Sequence, residues 1–169
     1  MSEVAQVYGA LSILLSTMAL AGVALSLVLQ ARQTQAAQEE ATWTSLRELV
    51  CRAIDDPSLA VCWAPPVVTV TREEWRQLAY INLIVTGWDK AFRLERITPE
   101  QLHVVAQRHF KGEMARRHWD VAGEDWVRIA GSAKSRRTRQ FPLIVEAEYR
   151  KAVEHGPAIP PSHYFSADE

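Results

Sequence analysis

Charge is missing from the beginning of this chain. No Asp, Glu, Lys or Arg occurs from Val4 to Ala31. A soluble amphipathic helix presents a polar face at every turn, so this absence excludes an ordinary surface helix. In the densest stretch, Val7 to Leu29, the only polar side chains are small hydroxyls and Tyr8. Hydroxyls of that size can bond back to their own helix. As a helix these 23 residues reach about 34 Å, against a hydrocarbon core of about 30 Å. The expectation is a single transmembrane helix. A basic start is also missing: MSEVAQ carries Glu3 and no Lys or Arg, and no Cys stands where lipoprotein cleavage would need one. Both absences disfavour a cleaved signal peptide and favour a retained anchor.

Helix breakers are scarce as well. Neither Gly nor Pro occurs between Gly22 and Pro57. Residues Gln30 to Thr42 are rich in Ala, Gln and Glu, good helix formers without an apolar stripe. They predict a solvated stalk that continues the anchor. Cysteine is limited to Cys51 and Cys62, which do not make a CxxC pair. In a reducing compartment they read as free thiols, and outside it a bridge between them is conceivable. Net charge is only −1, so no global field calls for nucleic acid. Arg32 and Arg47 follow the span while the tail before it has no basic residue, which places the C-terminal domain in the cytoplasm.

What is present after the stalk has helical spacing. Trp43, Leu46, Val50, Ala53 and Ile54 form a stripe expected to face a core, and Asp55-Asp56-Pro57 ends it. Leu59 to Trp63 is expected to tuck under the domain, and Val67 to Val70 to form a brief strand-like connector. Thr71 with Glu74 makes a capping box, followed by a seam of Leu78, Ile81, Val85, Trp88 and Phe92 in a helix expected to be central. Thr98-Pro99-Glu100-Gln101 opens the next helix. Gly112 breaks it. Two short pieces, Glu113 to Trp119 and Glu124 to Ala130, are expected on either side of Gly123. The last helix runs from about Gln140 to His155, burying Phe141, Ile144, Val145, Tyr149, Ala152 and Val153, before Gly156-Pro157 stops it.

No catalytic signature frames the Ser, Cys, Asp or Glu residues: there is no nucleophile elbow, Gly-rich phosphate loop or paired-carboxylate motif. The five histidines lack metal-ligand spacing, so no metal or cofactor is expected. Candidate ligand or partner contacts are Asn82, between Ile81 and Leu83, and Arg116, Arg117, His118 and Trp119, which could hold a phosphate or carboxylate. An ion pair to a neighbouring helix with a core tryptophan explains that run more simply. Lys134, Arg136, Arg137 and Arg139 are candidate anionic-lipid contacts, or a solvated loop. Ser12/Ser16 and Gly22/Ser26 are small pairs four apart that permit weak self-association in the bilayer.

Several segments together resemble a family of actinobacterial single-pass membrane proteins of unknown function. They are the anchor and its Gln/Arg stalk; LRELVCRAIDDPSLAVCW, with Asp56-Pro57 and Trp63; YINLIVTGWDKAFRL, with Asn82; ITPEQL; GEMARRHWD, with Arg117 and Trp119; and FPLIVEAEYRKAV, with Phe141, Glu148 and Tyr149. The resemblance implies an anchored helical domain of bacterial origin and supplies no activity.

The expected architecture is all-α. Residues 1–31 form the anchor, 32–156 a helical bundle of about five further helices with a stalk at 32–42, and 157–169 a flexible tail. The expected role is a membrane-anchored interaction or regulatory module at the inner face of the cell membrane, acting on an unknown protein partner or on lipid; the missing motif leaves no catalytic residue to nominate but does not exclude an enzyme. The alternative is a small-molecule site or enzyme pocket near Asn82, Arg117 and Trp119.

Overall fold

The computed structural model describes residues 2–165, without the side chains of residues 2–7, 9–14, 36 and 39. The Ser12 side chain, half of one expected self-association pair, and the tail residues 166–169 therefore lie outside the described residues. The described chain is all-helical: α1 (Ser2–Asp55), a 3-10 turn (Pro57–Cys62), α2 (Arg72–Arg93), α3 (Pro99–His109), α4 (Glu113–Gly131), α5 (Arg136–Glu154) and a second 3-10 turn (Pro161–His163). It divides into two compact units, 1–49 and 50–169.

The first unit is helix alone. Its span is long and apolar enough to cross a membrane, with a mean hydropathy of 1.4 over its best window and no part of that window buried. Leu15, Met18, Leu20, Val23 and Leu25 are all more than half exposed. A helix that is apolar all round and uncovered matches lipid better than water.

Within the second unit, α1 gives way to Asp56. Its carboxylate accepts from the Ser58 backbone N–H (3.0 Å) and hydroxyl (2.7 Å), which starts the 3-10 turn. Both capping boxes form. Thr71 N–H donates to Glu74 Oε2 (2.8 Å) and Glu74 N–H to Thr71 Oγ1 (3.2 Å). Thr98 and Gln101 repeat the exchange at 2.9 and 3.2 Å. Four orphan donors are thereby satisfied within the chain.

The core is built from α2 to α5. Val85, Phe92, Leu102, Phe110, Trp119, Phe141 and Val145 are almost wholly buried. The Phe110 ring meets the Trp119 and Tyr149 rings edge-on, at centroid distances of 6.1 and 5.5 Å. α5 packs against α2, α3 and α4, and its contacts with α3 and α4 are the most extensive in the unit. α5, and not α2, is the central helix.

Several local expectations are corrected. Of the expected stripe within the second unit, Ala53 is buried and Val50 and Ile54 are half-buried, but none of the three joins the core cluster. Leu59, Val61 and Trp63 are exposed, not tucked under the domain. Residues 67–70 form no strand. The two short pieces around Gly123 are one helix, α4. A Cβ at Gly123 would stand 2.7 Å from Trp119 Nε1, so this glycine is a recess for the indole and not a break. The last helix starts four residues early, at Arg136 after the Ser135 cap, which puts Pro142 inside it. Val153 is half exposed.

The expected free tail is tied down as far as it is described. Ile159 N–H donates to Lys111 C=O (2.7 Å), and Glu113 N–H donates to Ile159 C=O (3.0 Å). The tail thereby supplies an acceptor to the first turn of α4, whose cap, Gly112, has no side chain to offer one.

Candidate functional site

Successive positions on a helix point about 100° apart, so the run Arg116 to Trp119 is scattered by the geometry of α4. Arg116 donates from Nε to Phe110 C=O (2.6 Å) and from Nη1 to Gly156 C=O (2.7 Å). Those carbonyls lie at the ends of α3 and α5, so the guanidinium acts as a C-cap for two helices. Arg117 pairs with Glu74 across to the first turn of α2. The Glu74 carboxyl lies below its usual range, chiefly through the Thr71 backbone bond of the capping box, with Arg117 contributing less. Trp119 donates from Nε1 to Glu146 Oε2 (2.7 Å) while its ring lies in the core. His118 is buried, and its Nδ1 has no partner among the described residues.

Asn82 stands apart from all of these. It lies on the exposed side of α2, where its main-chain carbonyl accepts from the Thr86 hydroxyl (2.6 Å). Arg117 turns towards Glu74, and Trp119 towards Glu146. Neither Asn82 nor Arg117 lines any of the five best-formed cavities among the described residues. Trp119 does edge an open cavity of about 580 Å³ with Glu124, Arg128, Glu146, Tyr149 and Arg150.

The basic run is partly consumed by the fold. Arg137 donates to Phe92 C=O (2.8 Å), pairs with Glu95 (3.1 Å) and lies 5.1 Å over the Phe92 ring. Arg139 donates to the carbonyls of Ala133 (2.6 Å) and Lys134 (2.9 Å). Lys134, Arg136 and Arg139 are exposed. Within α1, Ser26 accepts from Gln30 (3.1 Å), and Gly22 has open space beside it.

One polar cluster escaped sequence reasoning. Glu148 is buried on α5 and accepts from His103 Nδ1 (2.9 Å) and Lys151 Nζ (2.7 Å). Burial pushes its carboxyl up, but hydrogen bonds and charge from Lys151 and His103 more than reverse this and leave it below the usual range. The Lys151 partner follows from helical spacing. His103 lies on another helix, and no local signal reveals it. Cys51 and Cys62 are free and exposed. Among the described residues, no three His, Cys, Asp or Glu side chains converge as metal ligands would.

Apolar surface is more prominent than polar chemistry. Ala60, Val61, Trp63, Pro65, Pro66 and Trp75 line a groove of about 560 Å³ between the first 3-10 turn and the start of α2. Val61 and Val67 keep more than four-fifths of their surface in solvent. Exposed apolar groups are thus concentrated in one short segment.

No curated protein and no solved structure matches this chain. A sequence profile does match, over residues 1–163. The chain belongs to the family of unknown function DUF6082.

Proposed function

We propose that this protein is a single-pass membrane-anchored interaction module. Helix α1 crosses the bilayer once, and the unit 50–169 acts on the cytoplasmic side as a recruiting surface for a protein partner. The observation that carries the reading is the uncovered apolar span of α1, with no buried residue in its best window. Two further features support it. The exposed apolar segment from the first 3-10 turn to α2 fits an apolar stretch of a partner protein better than it fits water. Cys51 and Cys62 are unpaired, as suits a reducing compartment.

The thiols also supply the test. In spheroplasts of a bacterial host, a membrane-impermeant maleimide should label Cys51 and Cys62 only after lysis. Labelling of intact spheroplasts would reverse the orientation. Release of the chain by alkaline carbonate would remove the anchor. Proximity labelling from the C-terminal unit, compared with a Val61→Asp/Trp63→Asp variant, then tests recruitment. The same labelled proteins with and without the apolar segment would count against a recruiting role for it.

A further inference from the structure

The junction of α3 and α4 is covered by chain that returns after α5. The bridge at Ile159 carries the second 3-10 turn, Tyr164 and Phe165 back to Gly112. A Cβ at Gly112 would lie 2.1 Å from the Tyr164 hydroxyl oxygen, so this approach requires glycine. Beneath lies a cavity of about 360 Å³, lined among others by Tyr80, Ile81, His109, Met114, Tyr164 and Phe165.

We propose that this cavity binds a neutral, largely apolar small molecule bearing a hydroxyl group, with the C-terminal segment 161–165 as one wall.

Size comes first. Pockets that hold small ligands are typically about 300–1,000 Å³ and mainly apolar. Charge comes second. No Asp, Glu, Lys or Arg is among the residues lining this cavity, whereas Arg72 lines the groove at the first 3-10 turn and Glu124, Arg128, Glu146 and Arg150 line the cavity beside Trp119. Burial lowers His109 to a pKa of about 4, so its ring is uncharged at neutral pH. An ion entering here would shed water without gaining a partner. Hydrogen bonding comes third. His109 Nε2 is buried without a partner among the described residues. Tyr80 and Tyr164 add a phenol each to the cavity lining. A ligand hydroxyl both donates and accepts, so it matches a phenol and an imidazole nitrogen in either tautomer. The wall can also adjust, because Tyr164 and Phe165 are mostly exposed.

The proposal does not depend on the anchor. Its test uses the full chain in lipid nanodiscs with the neutral photoprobe 4-(hydroxymethyl)benzophenone and its charged analogue 4-benzoylbenzoate. The neutral probe should label peptides containing Met114 and Tyr164 saturably, and the carboxylate about tenfold less. Gly112→Ala should displace Tyr164 and cut this labelling about fivefold or more. The backbone there (φ −84°, ψ 142°) accepts alanine without strain. Phe165→Ala, at an exposed position, should weaken labelling in the same direction and guards against a folding defect in the first variant. Labelling confined to Val7–Leu29, equal labelling by the carboxylate, or labelling unchanged in both variants would overturn the proposal.

Discussion

In residues 15–29 the large apolar side chains stand outward, and in α2 to α5 they turn inward. Leu20 is 71% exposed and Phe110 is 1% exposed. Both segments are helical, so backbone propensity does not separate them. The difference lies in pattern. In the second unit, polar residues alternate with apolar ones at a period near 3.6 and leave one stripe to bury. From Val4 to Ala31 the absence of charge leaves no polar face to turn towards water. Two segments of one helical chain thus differ in whether they hide their large apolar side chains.

Reciprocal substitutions break this comparison most strongly. Met18→Arg/Leu20→Arg places two charges near the centre of the span, each costing about 2.5–3.5 kcal/mol on insertion scales. The chain should then fail to resist carbonate extraction, while near-ultraviolet circular dichroism of the helical unit stays unchanged. Phe110→Ala should do the opposite. Loss of a buried aromatic costs about 3–5 kcal/mol, so thermal unfolding should shift sharply while membrane association persists. If either variant disturbs both properties equally, the two segments are not independent in the way their patterns imply.

Acid should act on one unit alone. Burial lowers His109 and His118 to about 4, with the neighbouring His109 charge adding to the effect on His118. A free histidine titrates near 6.5. Between these values the unfolded chain takes up protons that the folded chain refuses, so stability falls as pH drops from about 6.5 towards 4 and then levels. The loss from pH 7 to 5 is on the order of 1–2 kcal/mol per ring, less for the partly solvated His109. Glu74 and Glu148 lie below the usual carboxylate range, so their contributions are lost at lower pH. Asp89, raised by burial, runs the other way. Denaturant unfolding at pH 7 and 5 checks this, and His118→Leu should flatten the difference by about half. A pH-independent midpoint would show that the rings are solvated in the folded state.

Legibility followed sequence distance. The capping boxes Thr71/Glu74 and Thr98/Gln101 join residues three apart, so both partners stand in one short window. The span needed only an uninterrupted composition. By contrast, Arg117 meets Glu74 and His103 meets Glu148 only because separate helices are brought together. For this reason an ion pair from the Arg116-Arg117 run to a neighbouring helix was legible, but neither which arginine makes it nor its partner, Glu74, was. The cavity under Tyr164 was hidden more completely, because it needs the returning tail. Gly123 misled in another way, since a glycine that ends a helix and one that makes room for an indole look alike in sequence.

That ambiguity gives a pair of substitutions with opposite signs. Gly87 lies inside α2 with open space where a Cβ would go. Gly87→Ala should stabilise by about 0.5–1 kcal/mol through the unfolded chain. Gly123→Ala has the same backbone benefit, but its Cβ meets the Trp119 indole at 2.7–3.0 Å. The indole is buried and bonded to Glu146, so it yields poorly, and overpacking should cost about 1–3 kcal/mol. Equal stabilisation by both variants would show that Trp119 is free to move.

The smallest effect concerns the end of α2. Glu95 has φ 59°, the left-handed region, and is the one non-glycine residue there among the described residues. Arg96 N–H reaches Ala91 C=O (2.9 Å), and Glu95 N–H reaches Phe92 C=O (3.1 Å). This closure places glycine at the same point in many helices. Here the Arg137 guanidinium meets the Glu95 carboxylate, but that carboxylate is largely exposed, and such pairs contribute little. Relief of left-handed strain, about 1 kcal/mol, should therefore exceed the lost pair and the added freedom of the unfolded chain. Glu95→Gly should raise stability by a few tenths of a kcal/mol, measured by denaturant unfolding. High salt should narrow the gap to Glu95→Gln, in which only the charge is lost. A clear loss of stability in Glu95→Gly would instead show that the link from Arg137 to Glu95 and Phe92 holds α5 against the end of α2.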